Sequence, residues 1–204
     1  MILENILLGI SLAAPIGPVS IEMINRGLKK GFWAAFIIRL GGCIGNILCL
    51  ILAHFCLSSL LVYPLIINLI SVTGAVFLIY MGFKNFLKKE LNLIASNKLI
   101  SMVEKNGLLV GFILSLANPV SIVFWLGIFA ATINTPDAES SNFGLSLFII
   151  IGVLIWGAFL SGVLALGNRF LKPPIILVIT KIAGLVLVAF GIKYCWLSIS
   201  KIFI

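Results

Sequence analysis

Apolar runs of about 20 residues, parted by short polar stretches, recur along this chain. That is the length an α-helix needs to cross a hydrocarbon core of about 30 Å at 1.5 Å rise per residue. Six such runs can be drawn, at about 4–24, 32–54, 64–83, 107–131, 143–166 and 174–197. Composition agrees: 62% of the residues are hydrophobic and 10% charged, where a soluble domain has about 45–50% and 25%. Outer-membrane strands would appear as segments of about 10 residues with alternating polarity, and no such pattern is visible. The expected fold is an all-α polytopic membrane protein, one transmembrane domain over residues 1–204. The apolar stretch from Met1 to Ile21 lacks the basic start of a secretory signal and contains Pro15 and Pro18, so it reads as a retained first span.

Charge sets the orientation. Arg26, Lys29 and Lys30 follow the first span, Lys84, Lys88, Lys89, Lys98 and Lys105 follow the third, and Arg169 and Lys172 follow the fifth. The alternate connections carry no basic residue; the one after the fourth span holds only Asp137 and Glu139. By the positive-inside rule the basic loops are cytoplasmic and both termini face outward from a bacterial inner membrane, with Lys193 and Lys201 arguing weakly for the reverse. The net charge of +8 is thus a topology signal. It lies between spans, without interleaved aromatics, which excludes a nucleic-acid surface. The long basic loop, about 85–106, has room for an amphipathic helix at the membrane surface.

The tetrapeptide PVSI occurs twice, at Pro18-Val19-Ser20-Ile21 and Pro119-Val120-Ser121-Ile122. An odd number of crossings separates the copies, which inverts one relative to the other. The third and sixth spans also echo each other, with Gly74, Gly82 and Lys84 against Gly184, Gly191 and Lys193, although the glycine spacings differ. The expectation is two inverted three-helix repeats, about 1–84 and 107–204, an architecture of secondary transporters. Chance recurrence in so biased a composition is the competing reading.

Polar residues deep in the spans carry the functional reading. Pro15, Gly17 and Pro18 interrupt the first span and Asn118-Pro119 the fourth. Each proline removes a backbone donor and clashes with the preceding turn. A break at bilayer depth is tolerated where it is buried in protein or lines a wet cavity, and broken helices are where transporters hold substrate; packing kinks are the alternative. Gly41 and Gly45 allow close helix approach, inside the fold or in a homodimer. Asn46 beside them needs a hydrogen-bond partner, from another helix or from substrate. Glu22 with Arg26 and Arg39 forms either a cytoplasmic-side gate or a surface pair and a snorkelling cation, and Glu22 is a candidate amine or proton binder. Lys181 is a lesser case of the same kind. Cys43, Cys49, Cys56 and Cys195 form no CxxC and read as packing thiols. His54 reads as interfacial, and Trp125 and Trp156 as packing. No nucleophile–base pair, phosphate loop or metal-ligand spacing is visible, so neither an enzyme nor a cofactor or metal is expected.

P-I-G-P at 15–18, E-M-I-N-R-G at 22–27, G-x-x-x-G at 41–45, G-A-V-F-L-I-Y-M-G at 74–82 and G-F-I-L-S-L-A-N-P at 111–119 together resemble the LysE/RhtB-type amino acid exporters. The closing A-G-L-V-L-V-A-F-G-I-K is similar to that family's last helix. The resemblance implies export of amino acids or related small metabolites, driven by the proton gradient, with Pro15, Gly17, Pro18, Asn118 and Pro119 at the site. Where the family commonly has an acid after G-x-x-x-G, this chain has Asn46, and where it often has Lys after N-P, this chain has Val120. Asn46 cannot exchange a proton near neutral pH, so proton coupling would fall to Glu22 or be absent, and a cationic substrate is disfavoured. The resulting expectation is an exporter of a small zwitterionic metabolite in a lipid bilayer, bound by Pro15, Gly17, Pro18, Ser20, Glu22, Asn46, Asn118, Pro119 and Ser121. A metal-cation exporter and a non-transporting scaffold subunit are the rivals. Alkaline phosphatase fused at either terminus is expected to be active, and fused within 85–106 inactive; the opposite pattern reverses the orientation.

Overall fold

Proline decides where several helices of this chain begin. In the computed structural model, which describes residues 2–58, 64–87, 106–133, 138–166 and 173–200, the chain forms α1 (Ile2–Ala13), α2 (Pro18–Lys30), α3 (Phe32–Ser58), α4 (Pro64–Phe86), α5 (Gly107–Leu116), α6 (Pro119–Ile133), α7 (Ala138–Ala165) and α8 (Pro173–Ser200). Helices α2, α4, α6 and α8 each open on proline, at the first helical position, where its missing N–H has no partner to lose. All described elements are helical, as expected of a polytopic membrane protein.

Four stretches are long and apolar enough to cross a bilayer singly: Phe32–Phe55, Leu65–Phe86, Gly144–Ala165 and Pro174–Ser200. Two further crossings are bent pairs, α1 with α2 at 72° and α5 with α6 at 65°, which brings the total to six when each pair counts as one span. The spans run further than hydropathy indicates. Helix α2 continues to Lys30, so Arg26, Lys29 and Lys30 occupy its last two turns instead of a loop, and Glu22 lies two turns from its end instead of one. Helix α4 continues to Phe86 and takes in Lys84 and Asn85, and α7 starts at Ala138. At the end of α2 the exposed Lys29 and Lys30 keep their charged heads in water while the backbone stays helical. The postulated surface helix, and Lys88, Lys89, Lys98, Lys105, Arg169, Lys172 and Lys201, lie outside the described residues.

A single residue, Gly31, joins α2 to α3. Its φ of 78° is a left-handed conformation open mainly to glycine, and its N–H donates to Gly27 O at 2.8 Å. In α3 the exposed Ile37, Ile44 and Leu52 recur every seven or eight residues, while Ala35, Ile38, Cys43, Leu50 and Ala53 are buried. The helix therefore turns one stripe to lipid and the opposite face to protein. The interior is built around Leu8, Leu50, Phe124, Trp125, Ile128 and Ile149.

Helix pairs approach closely at glycine. A Cβ on Gly41 would stand 1.9 Å from Leu108 O, and one on Gly111 1.9 Å from Ile38 O, so α3 and α5 meet backbone to backbone. Gly45 packs on Ser115 of α5 as well, which places the Gly41–Gly45 face inside the fold. Gly82 of α4 meets Gly184 of α8 in the same manner. Lipid tails supply no hydrophobic drive for such contacts, so dispersion between closely fitted backbones carries them. Glu4 and Lys193 form an ion pair that sets the start of α1 and the last turns of α8 at the same face of the bundle. Gly111→Ala is expected to lower stability by about 1–3 kcal/mol through overpacking. Gly162→Ala, whose new methyl meets nothing within 4 Å, should not lower it; thermal unfolding in detergent compares the two.

Candidate functional site

The first break is local chemistry. Pro15 and Pro18 carry no N–H, so the carbonyls of Ser11 and Ala14 lose their helical donors. Helix α1 closes with Ala14 N donating to Ile10 O at 2.9 Å, and helical bonding resumes with Ile21 N to Gly17 O at 2.9 Å. Between them Gly17 is extended, with φ −114° and ψ −176°. In the second break Ala117 N donates to Ile113 O at 2.8 Å, Asn118 N to Ser115 O at 3.3 Å, and Ser121 N to Asn118 O at 3.0 Å. The duplicated tetrapeptide therefore heads the second half-helix of each broken span, Pro18 in α2 and Pro119 in α6, with Ser20 and Ser121 in the same register.

Both breaks open onto one cavity of about 200 Å³. Pro15, Gly17, Pro18 and Ser20 line it from the first span, Asn118 and Ser121 from the fourth. Arg39 and Asn46 reach it from α3. Asn46 is 8% exposed, and its Oδ1 accepts from Ser115 Oγ at 2.8 Å, which stitches α3 to α5 across the wall. Arg39 is 5% exposed; its Nη2 donates to Ser20 Oγ at 3.2 Å. The first turn of half-helix α2, with the unpaired N–H groups of Val19 and Ser20 and the positive end of the helix dipole, borders this space. The described residues of this wall present hydrogen-bonding side chains, with the Arg39 guanidinium as their charged group.

Not all the residues singled out from the sequence meet there. Glu22 accepts from Arg26 Nε at 2.6 Å, and neither is among the cavity-lining residues. Arg39 takes no part in that pair, so the three charges divide into an ion pair and a separate buried cation. Pro119 heads α6. Lys181 is partly buried on α8, away from the cavity wall. Among the described residues no group of three His, Cys, Asp or Glu could hold a metal ion. Cys43 and Cys49 are buried, Cys195 is partly buried, and all three are free thiols; the side chain of Cys56 lies outside the description. Trp125 is wholly buried in the core. Trp156 borders a second, apolar cavity of about 250 Å³ with Phe159, Ile175 and Ile179.

Sequence reading overlooked Ser115, Met81 and Asn85 in the wall. Ser115 stands in G-F-I-L-S-L-A-N-P, three residues before Asn118, and one helical turn back from a break was the available signal. Asn85 was hidden by the placing of the third span's end at about residue 83, which assigned it to a loop.

The sequence model of the family described as LysE type translocator matches residues 10–197 of this chain. A protein of Bacillus subtilis (strain 168) named "Putative amino acid efflux protein YcgF" is 32% identical over 206 residues, covering 98% of this chain and 97% of that protein. No solved structure matches the chain. The family match runs through all eight described helices and both breaks. With a bundle of bilayer-length apolar helices around a polar cavity, it establishes that this chain belongs to the LysE type translocator family, as a multi-pass membrane translocator and not an enzyme.

Proposed function

We propose that this protein exports a small zwitterionic amino acid, or a closely related metabolite, from the cytoplasm across a bacterial inner membrane. Transport proceeds by alternating access, with two inverted three-helix halves, about 1–84 and 107–204, moving against each other around the cavity. The observation that carries this reading is the shared cavity of the two PVSI breaks. Further support comes from contacts that exchange under such a symmetry. The first half-helix α1 packs on α7 of the other half, as α5 packs on α3, and α4 meets α8. The name of the Bacillus subtilis relative supplies the substrate class. The cavity reaches Met81 and Asn85, in the last two turns of α4 beside the basic loop, which favours an inward-facing state.

In this reading the carboxylate of the substrate meets helix-terminal N–H groups and its ammonium meets the side-chain carbonyls of Asn46 and Asn118. The Glu22–Arg26 pair is the cytoplasmic gate, and proton exchange runs through Glu22, because Asn46 cannot titrate. A metal-cation exporter is disfavoured by the described wall, whose polar side chains are amides, hydroxyls and the Arg39 guanidinium.

Efflux from cells fed a panel of dipeptides, compared between empty vector, this protein and Asn118→Ala at matched membrane abundance, tests the reading. One amino acid should leave faster with the intact protein, and Asn118→Ala should slow it about three- to tenfold, the worth of one hydrogen bond. No accelerated amino acid, with both proteins present and folded, removes the amino acid assignment. A variant that alters only abundance favours the scaffold. Glu22→Gln should make the remaining efflux insensitive to a protonophore; undiminished sensitivity takes proton coupling away from Glu22.

A further inference from the structure

Arg39 is buried beyond what its partners justify. It lies about two turns into α3 and is 5% exposed. Its stem is clamped against α7, where a methyl group on Gly157 would come within 2.2 Å of Arg39 Cγ and 3.0 Å of Nε. A guanidinium carries five N–H donors and keeps its charge in proteins, so burial calls for several acceptors, and usually for a carboxylate. Here Nη2 reaches Ser20 Oγ at 3.2 Å, and Nε has no acceptor among the described residues. The nearby acid, Glu22, is engaged by Arg26. Among the described residues no acidic one lines the cavity, whose other polar side chains are Ser20, Asn46, Asn85, Ser115, Asn118 and Ser121. Asn85 Nδ2 is a second buried donor without an acceptor in that same wall. The first turn of α2 adds the positive end of its dipole. Donors and positive potential converge on one small space, and the described residues supply no carboxylate to balance them.

We propose that Arg39 is the anion anchor of the transport site: it binds the carboxylate of the cargo beside Ser20 and the first turn of α2. Every solute carried then has an acidic group, and amines without one are rejected. The inference rests on the reading of the cavity as the transport site. A planar guanidinium matches a carboxylate in geometry, and one fixed cation balances its single charge. A phosphate ester, at about −1.5 to −2 near pH 7, would remain uncompensated. Gly157 is a positioning residue, since only a bare α-carbon leaves the slot in which the Arg39 stem lies.

The test is equilibrium binding to the purified protein in lipid nanodiscs. The twenty common amino acids are screened first; the best bound is then compared with its decarboxylated amine and its deaminated acid, with propionate as a minimal carboxylate probe. The amino acid and the deaminated acid should compete for one site, and the amine should bind at least about tenfold more weakly. Arg39→Met, which keeps the bulk of the stem, should weaken carboxylate binding about ten- to a hundredfold, the range for a charged hydrogen bond. Arg39→Lys should recover part of the loss. Arg39→Met should melt no lower than the parent, because an uncompensated buried charge has been removed. An amine that binds as well as its amino acid overturns the proposal, as does unchanged carboxylate affinity in Arg39→Met. These readouts also separate the two readings. Propionate binding that depends on Arg39, in a protein that exports no amino acid, keeps the anchor and discards the amino acid assignment. Amino acid export that ignores Arg39 does the opposite, and failure of the wild type to bind any carboxylate removes the anchor whatever the efflux.

Discussion

A peptide group with no hydrogen-bond partner costs several kcal/mol in hydrocarbon, and this chain interrupts two of its membrane helices. That cost explains much of the surrounding architecture. A bend of 72° between α1 and α2 is accommodated beside a polar cavity that residues of α3, α4 and α7 help to enclose. Enclosure in turn demands closely packed helices. The backbone contacts of Gly41 with Leu108 and of Gly111 with Ile38 press α3 against the second broken span, and the hydrogen bond from Ser115 to Asn46 fastens them at the wall. Breaks, glycines and cavity are one arrangement, and removing any of them would leave the others without a physical reason.

Electrostatics within the bundle are asymmetric. Glu22 and Arg26 satisfy each other one helical turn apart, so they resemble an ordinary i,i+4 pair drawn partly into the protein. Arg39, by contrast, has a hydroxyl for company. Asn46 serves two purposes at once: its carbonyl oxygen fastens helices while its side chain forms part of the wall. From sequence alone Asn46 admits structural glue or substrate contact, and the geometry makes those alternatives compatible, because an amide has more than one hydrogen-bonding group.

The breaks were legible in the sequence because the cause is local. A proline lacks its N–H in every context, and P-I-G-P or N-P inside an apolar run admits few outcomes. The four long apolar helices were legible for a similar reason, since bilayer thickness fixes segment length. Helix ends were not, because Lys30, Asn85 and Phe86 lie where hydropathy falls while the backbone remains helical. The environment of Arg39 was hidden more deeply. Whether a cation two turns from a helix end snorkels to water or points inward depends on the rotation of α3 against α2 and α7. The lipid-facing stripe of Ile37, Ile44 and Leu52 fixes that rotation only together with the neighbouring helices. Gly157 gives no sign of its role in the sequence, because its slot exists only once α3 and α7 are side by side.

The corner at Gly31 makes an elbow of α2 and α3. One residue offers two soft dihedral angles and no slack, so the two helices can swing about it but cannot drift apart there. From that pivot the broken end of α2 at Pro18 lies roughly 20 Å away along the helix axis, at 1.5 Å per residue, so a swing of about 10° displaces it by about 3 Å. Ser20 and Arg39, facing each other across the corner, sit at different distances along the two arms. The same swing therefore separates or joins them, and the polar wall and the mechanical linkage are built from the same pair of helices.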